Sequence, residues 1–264
     1  MERGADFIAT GHYARIIDGK LARAVDENKD QTYFLYRISE EALAHTIFPI
    51  GGMLKPEVKK LAEENGLHNA YKKESMGVCF VGEVGLKDFL KEYIDIRPGE
   101  IREIKSEKVL GYHEGTVFYT IGQRHGLYLN GVAGEVNDGL PYYVVKKDIE
   151  NNVVYVSKNL NDEHIWTKEL KLTDVILRTG PVATVSPTVL GSRLRAAGVP
   201  PVAPPVRADV RLRHRAPLIP AKITLGENGA ARLEFKNEIK RPAAGQSAVI
   251  YDGEICLGGG IITQ

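Results

Sequence analysis

Two stretches decide the fold: Pro141-Tyr142-Tyr143-Val144-Val145-Lys146-Lys147 and, beyond Asp148-Ile149-Glu150-Asn151-Asn152, the run Val153-Val154-Tyr155-Val156-Ser157. Each is short, rich in β-branched and aromatic residues and bounded by polar turn residues, which reads as strand. The same texture runs on either side of them. Gly115 to Ile121, Leu170 to Leu177, Ala208 to Leu212, Ala221 to Leu225 and Ser247 to Tyr251 all have it, so everything from Gly99 onward is expected to be β. Runs of this length and spacing suit small barrels rather than a parallel sheet with crossover helices, and two are expected, separated near Asn159 to His164. Toward the N-terminus the pattern changes. Ala5 to Thr10 followed by Gly11-His12-Tyr13 reads as a strand entering a glycine turn, the place where α/β sheets put ligands. Lys55-Pro56-Glu57 opens a helix, Val58, Leu61 and Ala62 give it an apolar face, and Gly66 stops it. Leu86 to Tyr93 resumes helical spacing after an aperiodic loop from Asn69 to Glu83. The expected class is therefore α/β plus all-β, divided at 1–84, 85–160 and 161–264.

The 264 residues carry 35 Lys and Arg against 34 Asp and Glu, a net charge of +1 that neither demands nor excludes nucleic acid, because local strips of cations neutralise phosphates. No run approaches the roughly 18 apolar residues of a membrane span, and the N-terminal residues lack the apolar stretch of a signal peptide, so no membrane partner and a cytoplasmic location are expected. With only Cys79 and Cys256, any cysteine chemistry is that of single thiols, and neither a disulfide scaffold nor a zinc site is expected.

Residue type alone leaves two readings of each candidate. A lone cysteine is usually a small buried hydrophobe. Cys79, in Lys72-Lys73-Glu74-Ser75-Met76-Gly77-Val78-Cys79-Phe80-Val81-Gly82, has glycines that permit movement and lysines that favour the thiolate, whereas Cys256 lies in an apolar strand pattern without cationic neighbours. Gly11-His12 is either a turn with a satisfied histidine or a ligand site, and Lys29-Asp30-Gln31 is by composition an exposed polar turn. Gly51-Gly52-Met53 and Gly258-Gly259-Gly260 match no phosphate-binding loop. Arg207, Arg211, Arg213 and Arg215 alternate with other residues, so a continuous strand would gather them on one face beside His214, as a solvated edge or as a phosphate-contacting strip. Pro200-Pro201 and Pro204-Pro205 mark the region before Val206 as an extended linker.

Several motifs in one order carry a resemblance. Gly11-His12-Tyr13-Ala14-Arg15, Lys29-Asp30-Gln31-Thr32-Tyr33-Phe34-Leu35, Phe48-Pro49-Ile50-Gly51, Gly77-Val78-Cys79-Phe80-Val81-Gly82, Tyr119-Thr120-Ile121-Gly122-Gln123-Arg124-His125-Gly126, Pro141-Tyr142-Tyr143 and Gly245-Gln246-Ser247-Ala248-Val249 together resemble the tRNA-specific 2-thiouridylase family over nearly the whole chain, except about Gly180 to Val206. The resemblance implies the C-terminal remnant of a PP-loop ATP-pyrophosphatase domain, a small central β-rich domain and a C-terminal β-barrel that meets tRNA. It implies ATP with Mg2+ as co-substrate, adenylation of the C2 oxygen of the wobble uridine, and sulfur supplied from a persulfide on Cys79, loaded by a persulfide relay or a cysteine desulfurase. It further implies that Gly11 touches the nucleotide and that His12, Lys29, Asp30, Gln31, Arg213, His214 and Gln246 contact tRNA, with His214 standing where the family usually has Tyr. No resident metal or organic cofactor is implied. The Ser-Gly-Gly-x-Asp-Ser phosphate loop and a partner cysteine, which the family carries before the position of Gly4, do not occur in this sequence. The chain is therefore expected to be a fragment of a longer enzyme, the alternative being a catalytically incomplete tRNA-binding β-barrel protein.

Overall fold

The computed structural model of the chain describes residues 4–68, 70–71, 92–94, 96–129, 140–159, 161–178 and 205–263. These fall into two units, one of Met1–Lys72, Lys168–Asn237 and Ala244–Gln264, the other of Lys73–Thr167 and Glu238–Ala243.

The first unit is built on a closed barrel. Strands β9 (Trp166–Leu177), β10 (Val206–Arg211), β11 (Ile219–Leu225), β12 (Ala231–Lys240), β13 (Ser247–Asp252) and β14 (Ile255–Ile262) run in the order β13-β10-β11-β12-β9-β14, and a β13–β14 pairing closes the ring. Alternation supplies its inward face: Ala231, Leu233 and Phe235 are buried along β12 while their neighbours are not. Closure forces two strands very close to β14. A Cβ on Gly258, whose φ is +135°, would lie 1.9 Å from the Ile176 carbonyl oxygen, and one on Gly259 would lie 2.5 Å from that of Ala248. The glycine triplet is thus a barrel-closing strand segment, where only a residue without a side chain allows both neighbours their approach.

Onto the same strand the N-terminal part adds a hairpin, β2 (Ala14–Ile17) and β3 (Lys20–Arg23), through the pairing of Ile255 with Ala22. Asp18 and Gly19, with φ of 48° and 73°, form its two-residue turn, the arrangement whose twist matches that of the flanking strands. Short parallel strands β1 (Ile8–Ala9) and β4 (Thr46–Ile47), with helices α1 (Thr32–Leu35), α2 (Glu40–Ala44) and α3 (Lys55–Glu64), carry the α/β character. Helix α3 begins and ends as its sequence indicates: the Glu57 carboxylate accepts the Leu54 N–H at 2.7 Å, Asp26 accepts the Lys55 N–H at 3.0 Å, and Gly66 ends it at φ +64°. The expected apolar face is not buried, however, since no residue of α3 is and Leu61 is 48% exposed.

The second unit holds β5 (Gly99–Glu103), β6 (Val109–His113), β7 (Tyr143–Asp148) and β8 (Val153–Ser157) in the order β6-β5-β8-β7, with β5 and β8 parallel. Ile101, Leu110, Tyr119, Val144, Val154 and Val156 form its core. The run Gly115 to Ile121, expected as strand, is a 3-10 turn at Thr116–Phe118 followed by irregular chain. There the Phe118 and Tyr119 N–H groups bond to the carbonyls of Gly115 and Thr116, and Phe118, Tyr119 and Ile121 pack on the core, so the backbone is satisfied locally without a partner strand. Leu86 to Lys91, the linker before Pro205 and the Cys79 loop lie outside the described residues.

Candidate nucleic-acid interface

Several expected site residues, far apart in sequence, meet on the first unit. The β2–β3 hairpin feeds a loop, residues 24–31, organised around two buried aspartates. Asp26, 8% exposed, accepts the Asn28 N–H at 3.1 Å, and its backbone carbonyl accepts the Lys29 N–H at 3.0 Å. Asp30, 1% exposed, accepts from the Thr32 N–H at 3.2 Å, the Thr32 hydroxyl at 2.9 Å and the Ala24 N–H at 3.3 Å. Its other oxygen receives Nη1 of Arg211 at 2.5 Å, and Arg211, itself 4% exposed, lies 5.3 Å from the centre of the Tyr251 ring. A buried carboxylate is tolerated because a charge and hydrogen-bond donors replace the water it lost.

This pair revises the expected arginine face. Strand β10 ends at Arg211, whose side chain turns inward, and the chain then turns, with the Ala216 N–H on the Arg213 carbonyl at 3.0 Å and Arg215 at φ +63°. Arg207, Arg213 and Arg215 remain exposed, but period-two alternation does not continue through the turn, so the four do not share one strand face. Asp30 likewise does not offer its carboxylate to solvent. It holds Lys29 and Gln31 in place on either side of it.

Gln31 reaches across to the glycine turn: its Oε1 accepts the Tyr13 N–H at 2.9 Å while its own N–H bonds to the Tyr13 carbonyl at 2.9 Å. His12 is thereby set beside the Lys29–Gln31 loop, half-buried, with Nδ1 3.0 Å from the Thr10 hydroxyl. Gly11 is exposed, and a Cβ there would meet nothing within 4 Å. Gly51 packs much more closely, since a Cβ on it would lie 1.6 Å from the Ala14 carbonyl oxygen, which accounts for the glycine of Phe48-Pro49-Ile50-Gly51 by contact of two backbones.

Helix α1 joins this loop to the barrel. The Tyr33 hydroxyl donates to the Ser247 carbonyl at 2.9 Å, the Tyr36 and Ser247 hydroxyls lie 3.1 Å apart, and the Thr32 and Tyr251 hydroxyls 3.0 Å apart. Gln246, the residue before Ser247, is half-buried at the start of β13, its carbonyl accepting the Ile262 N–H. On the opposite side of the turn His214 lies 4.7 Å from Phe34 and 6.4 Å from Tyr33, ring centre to ring centre. Burial, then the charges of Arg215 and Arg211, push the His214 imidazole below its ordinary range, so it is neutral at pH 7. Burial raises the Tyr33 hydroxyl, and the nearby Arg213 charge opposes that rise.

Cys256 is fully buried, and burial pushes its thiol up to about 11, with Arg178 at 3.9 Å only partly offsetting this; such a thiol is unreactive at neutral pH. Among the described residues no cluster of three or more His, Cys, Asp or Glu side chains could hold a metal, and no helix is long and apolar enough to cross a membrane. The sequence singles out neither Tyr33 nor Phe34 as a site residue, and the expectation of Arg211 on one face with Arg207, Arg213 and Arg215 is overturned by its burial. The aromatic run after Lys29-Asp30-Gln31 is the available signal for the first two, and the apolar neighbours Val210 and Leu212 for the third.

Three family models match the chain in succession: a tRNA methyl transferase HUP domain over residues 1–83, a tRNA methyl transferase PRC-barrel domain over 87–158 and an aminomethyltransferase β-barrel domain over 191–262. The chain is 42% identical over 266 aligned positions to the tRNA-specific 2-thiouridylase MnmA of Idiomarina loihiensis, covering 98% of this chain and 65% of that protein. It is 40% identical to the protein of that name from Listeria monocytogenes, again over 98% of this chain and 64% of the relative, and 42% identical to that of Pasteurella multocida, over 63% of it. The chain thus spans just under two thirds of the length of these relatives. With all three models matching in order and identity near 40% across almost every residue, the chain belongs to the tRNA-specific 2-thiouridylase family.

Proposed function

We propose that this chain is the tRNA-holding and sulfur-carrying part of an ATP-dependent tRNA-uridine 2-sulfurtransferase. The observation that carries the tRNA half is the convergence, on one unit, of His12, Lys29, Gln31, Arg213, His214 and the start of β13 at Gln246, tied by the Asp30–Arg211 pair and the Tyr33–Ser247 bond. Exposed arginines and an aromatic patch beside a rigid loop are the chemistry by which proteins hold phosphates and unpaired bases. Gln246 and His12 contact the RNA at the edges of that surface.

The sulfur half rests on family membership and on Cys79 in its Lys- and Gly-flanked motif. A persulfide on Cys79, loaded by a cysteine desulfurase or a relay protein, attacks C2 of the wobble uridine with its outer sulfur, and the adenylated C2 oxygen leaves as AMP. A second thiol, that of the partner cysteine the family carries, then cleaves the sulfur–sulfur bond, so that the thiouridine is released and a disulfide with Cys79 is left. ATP, with Mg2+, is the co-substrate of the adenylation. Within this chain Gly11, open and exposed beside His12, is suited to a backbone contact with the nucleotide, and no further step is assigned to the described residues.

The test is to incubate the purified chain with a cysteine desulfurase and cysteine and to map the sulfur by mass spectrometry. An added sulfur atom on the Cys79 peptide, lost in Cys79→Ser, supports the reading. Sulfur on Cys256 alone, or on neither thiol while the desulfurase turns over, refutes the sulfur half and leaves a tRNA-binding barrel protein as the reading.

A further inference from the structure

Phe34 is 59% exposed, although the residue before it, Tyr33, is buried and pinned to Ser247. One exposed phenylalanine is ordinary on a protein surface. This one, however, is the outermost of three rings in contact: it meets Tyr33 edge-on at 5.4 Å and 86°, and His214 at 4.7 Å and 42°. The surroundings are cationic, since Arg213 acts electrostatically on Tyr33 and Arg215 on His214. The carboxylate that acts on His214, that of Asp30, is buried and paired with Arg211. A rigid, exposed aromatic face, whose two ring neighbours lie in the fields of Arg213 and Arg215, suits a flat, π-faced group attached to phosphate.

We infer that the Phe34 ring, backed by His214, is a stacking platform for one unpaired nucleobase of the bound RNA. The inference rests on the tRNA reading above and adds to it a residue and a subsite: phosphates on Arg213 and Arg215, a base on Phe34. Because helix α1 is anchored at both Tyr33 and Tyr36 to Ser247, the ring needs no ordering when the base arrives. Stacking on an aromatic side chain tolerates any base, so the platform grips a loop without choosing its sequence.

The experiment uses the chain with an anticodon stem-loop carrying 2-aminopurine at one loop position at a time, read for quenching and for affinity. Phe34→Leu keeps an apolar side chain at an exposed position and should leave the melting temperature unchanged. It should lower affinity on the order of 5- to 100-fold, abolish the quench at one loop position and leave the salt dependence of binding intact. Phe34→Trp should retain both affinity and quench. If Phe34→Leu binds as the native chain does, with the quench preserved, the platform is overturned while the tRNA reading stands. If the native chain shows no salt-dependent binding to the stem-loop at all, both fall. If Phe34→Leu loses affinity and Phe34→Trp does not restore it, the site is a close-fitting apolar contact and not a stack, and the inference is wrong.

Discussion

Replacing Arg211 by Met keeps the length of the side chain but leaves the Asp30 carboxylate without its charge partner in a place where its side chain has no exposure and that of Arg211 only 4%. Removing one member of a buried pair typically costs about 3–5 kcal/mol, against 0–1 kcal/mol for a surface pair, because the remaining charge is left desolvated. Three features place the cost at the lower end: Thr32 offers its N–H and hydroxyl, Ala24 its N–H, and Arg23 stands 3.9 Å from Asp30. A loss of about 3 kcal/mol is therefore expected, a large share of the 5–15 kcal/mol that holds a typical domain. The double variant Asp30→Asn with Arg211→Met should recover much of it, since the amide oxygen still accepts the Thr32 and Ala24 N–H groups and no charge stays buried. Urea unfolding followed by circular dichroism, with amide exchange on β10 and β13 to locate the loss in this unit, measures both. An Arg211→Met cost below about 1 kcal/mol, as expected of the exposed Lys222–Glu234 pair, would refute the reasoning that this pair fixes the Lys29–Gln31 loop to the barrel.

Two further outcomes follow from the fold. Gly258→Ala forces a Cβ to within 1.9 Å of the Ile176 carbonyl oxygen at φ +135°, so destabilisation of at least about 1–3 kcal/mol is expected by thermal or urea melting; a stability equal to the native chain's would contradict the close strand approach. Burial pushes the imidazoles of His113 and His214 below their ordinary range. The unfolded chain therefore takes up their protons first, near pH 6.5, and the stability they contribute is complete above that value and lost as pH falls below it. The melting temperature should drop below pH 6.5 and drop less in His113→Gln, whereas a steeper loss in the variant would reverse the assigned sign.

How much of this was legible in the sequence depended on how local each signal was. Val153–Ser157 forms a strand over the residues that its β-branched run marks, and Lys55–Glu64 a helix over those that its Pro and Gly punctuate, because turn chemistry and neighbour spacing decide both. The Asp18-Gly19 turn is equally local, an Asp-Gly pair between two four-residue strands. What local pattern does not contain is the register of distant partners. The pairing of Ala22 with Ile255 and the ion pair of Asp30 with Arg211 join segments separated by most of the chain, and they turn a barrel strand's arginine from an expected surface cation into a buried anchor. For the candidate site, composition alone leaves Lys29-Asp30-Gln31 as an exposed turn, and only the barrel brought near by folding shows that its central residue faces inward onto Arg211 while Gln31 bonds to Tyr13. Gly258-Gly259-Gly260 matches no phosphate-binding loop in sequence, and its role as barrel closure depends on strands from elsewhere in the chain.

The central claim is that the N-terminal loop and the barrel turn form one surface for tRNA. It is tested most directly by the salt dependence of tRNA binding to the native chain, to Arg213→Ala and to Arg193→Ala. The last replaces an arginine of the Pro-rich stretch, so net charge falls equally in both variants. Arg213→Ala should weaken binding and reduce the slope of log K against log salt by about 0.7–0.9 unit, the share of one phosphate contact, while Arg193→Ala changes neither. Equal effects of the two substitutions, or no effect of Arg213→Ala on affinity and slope, would contradict the account.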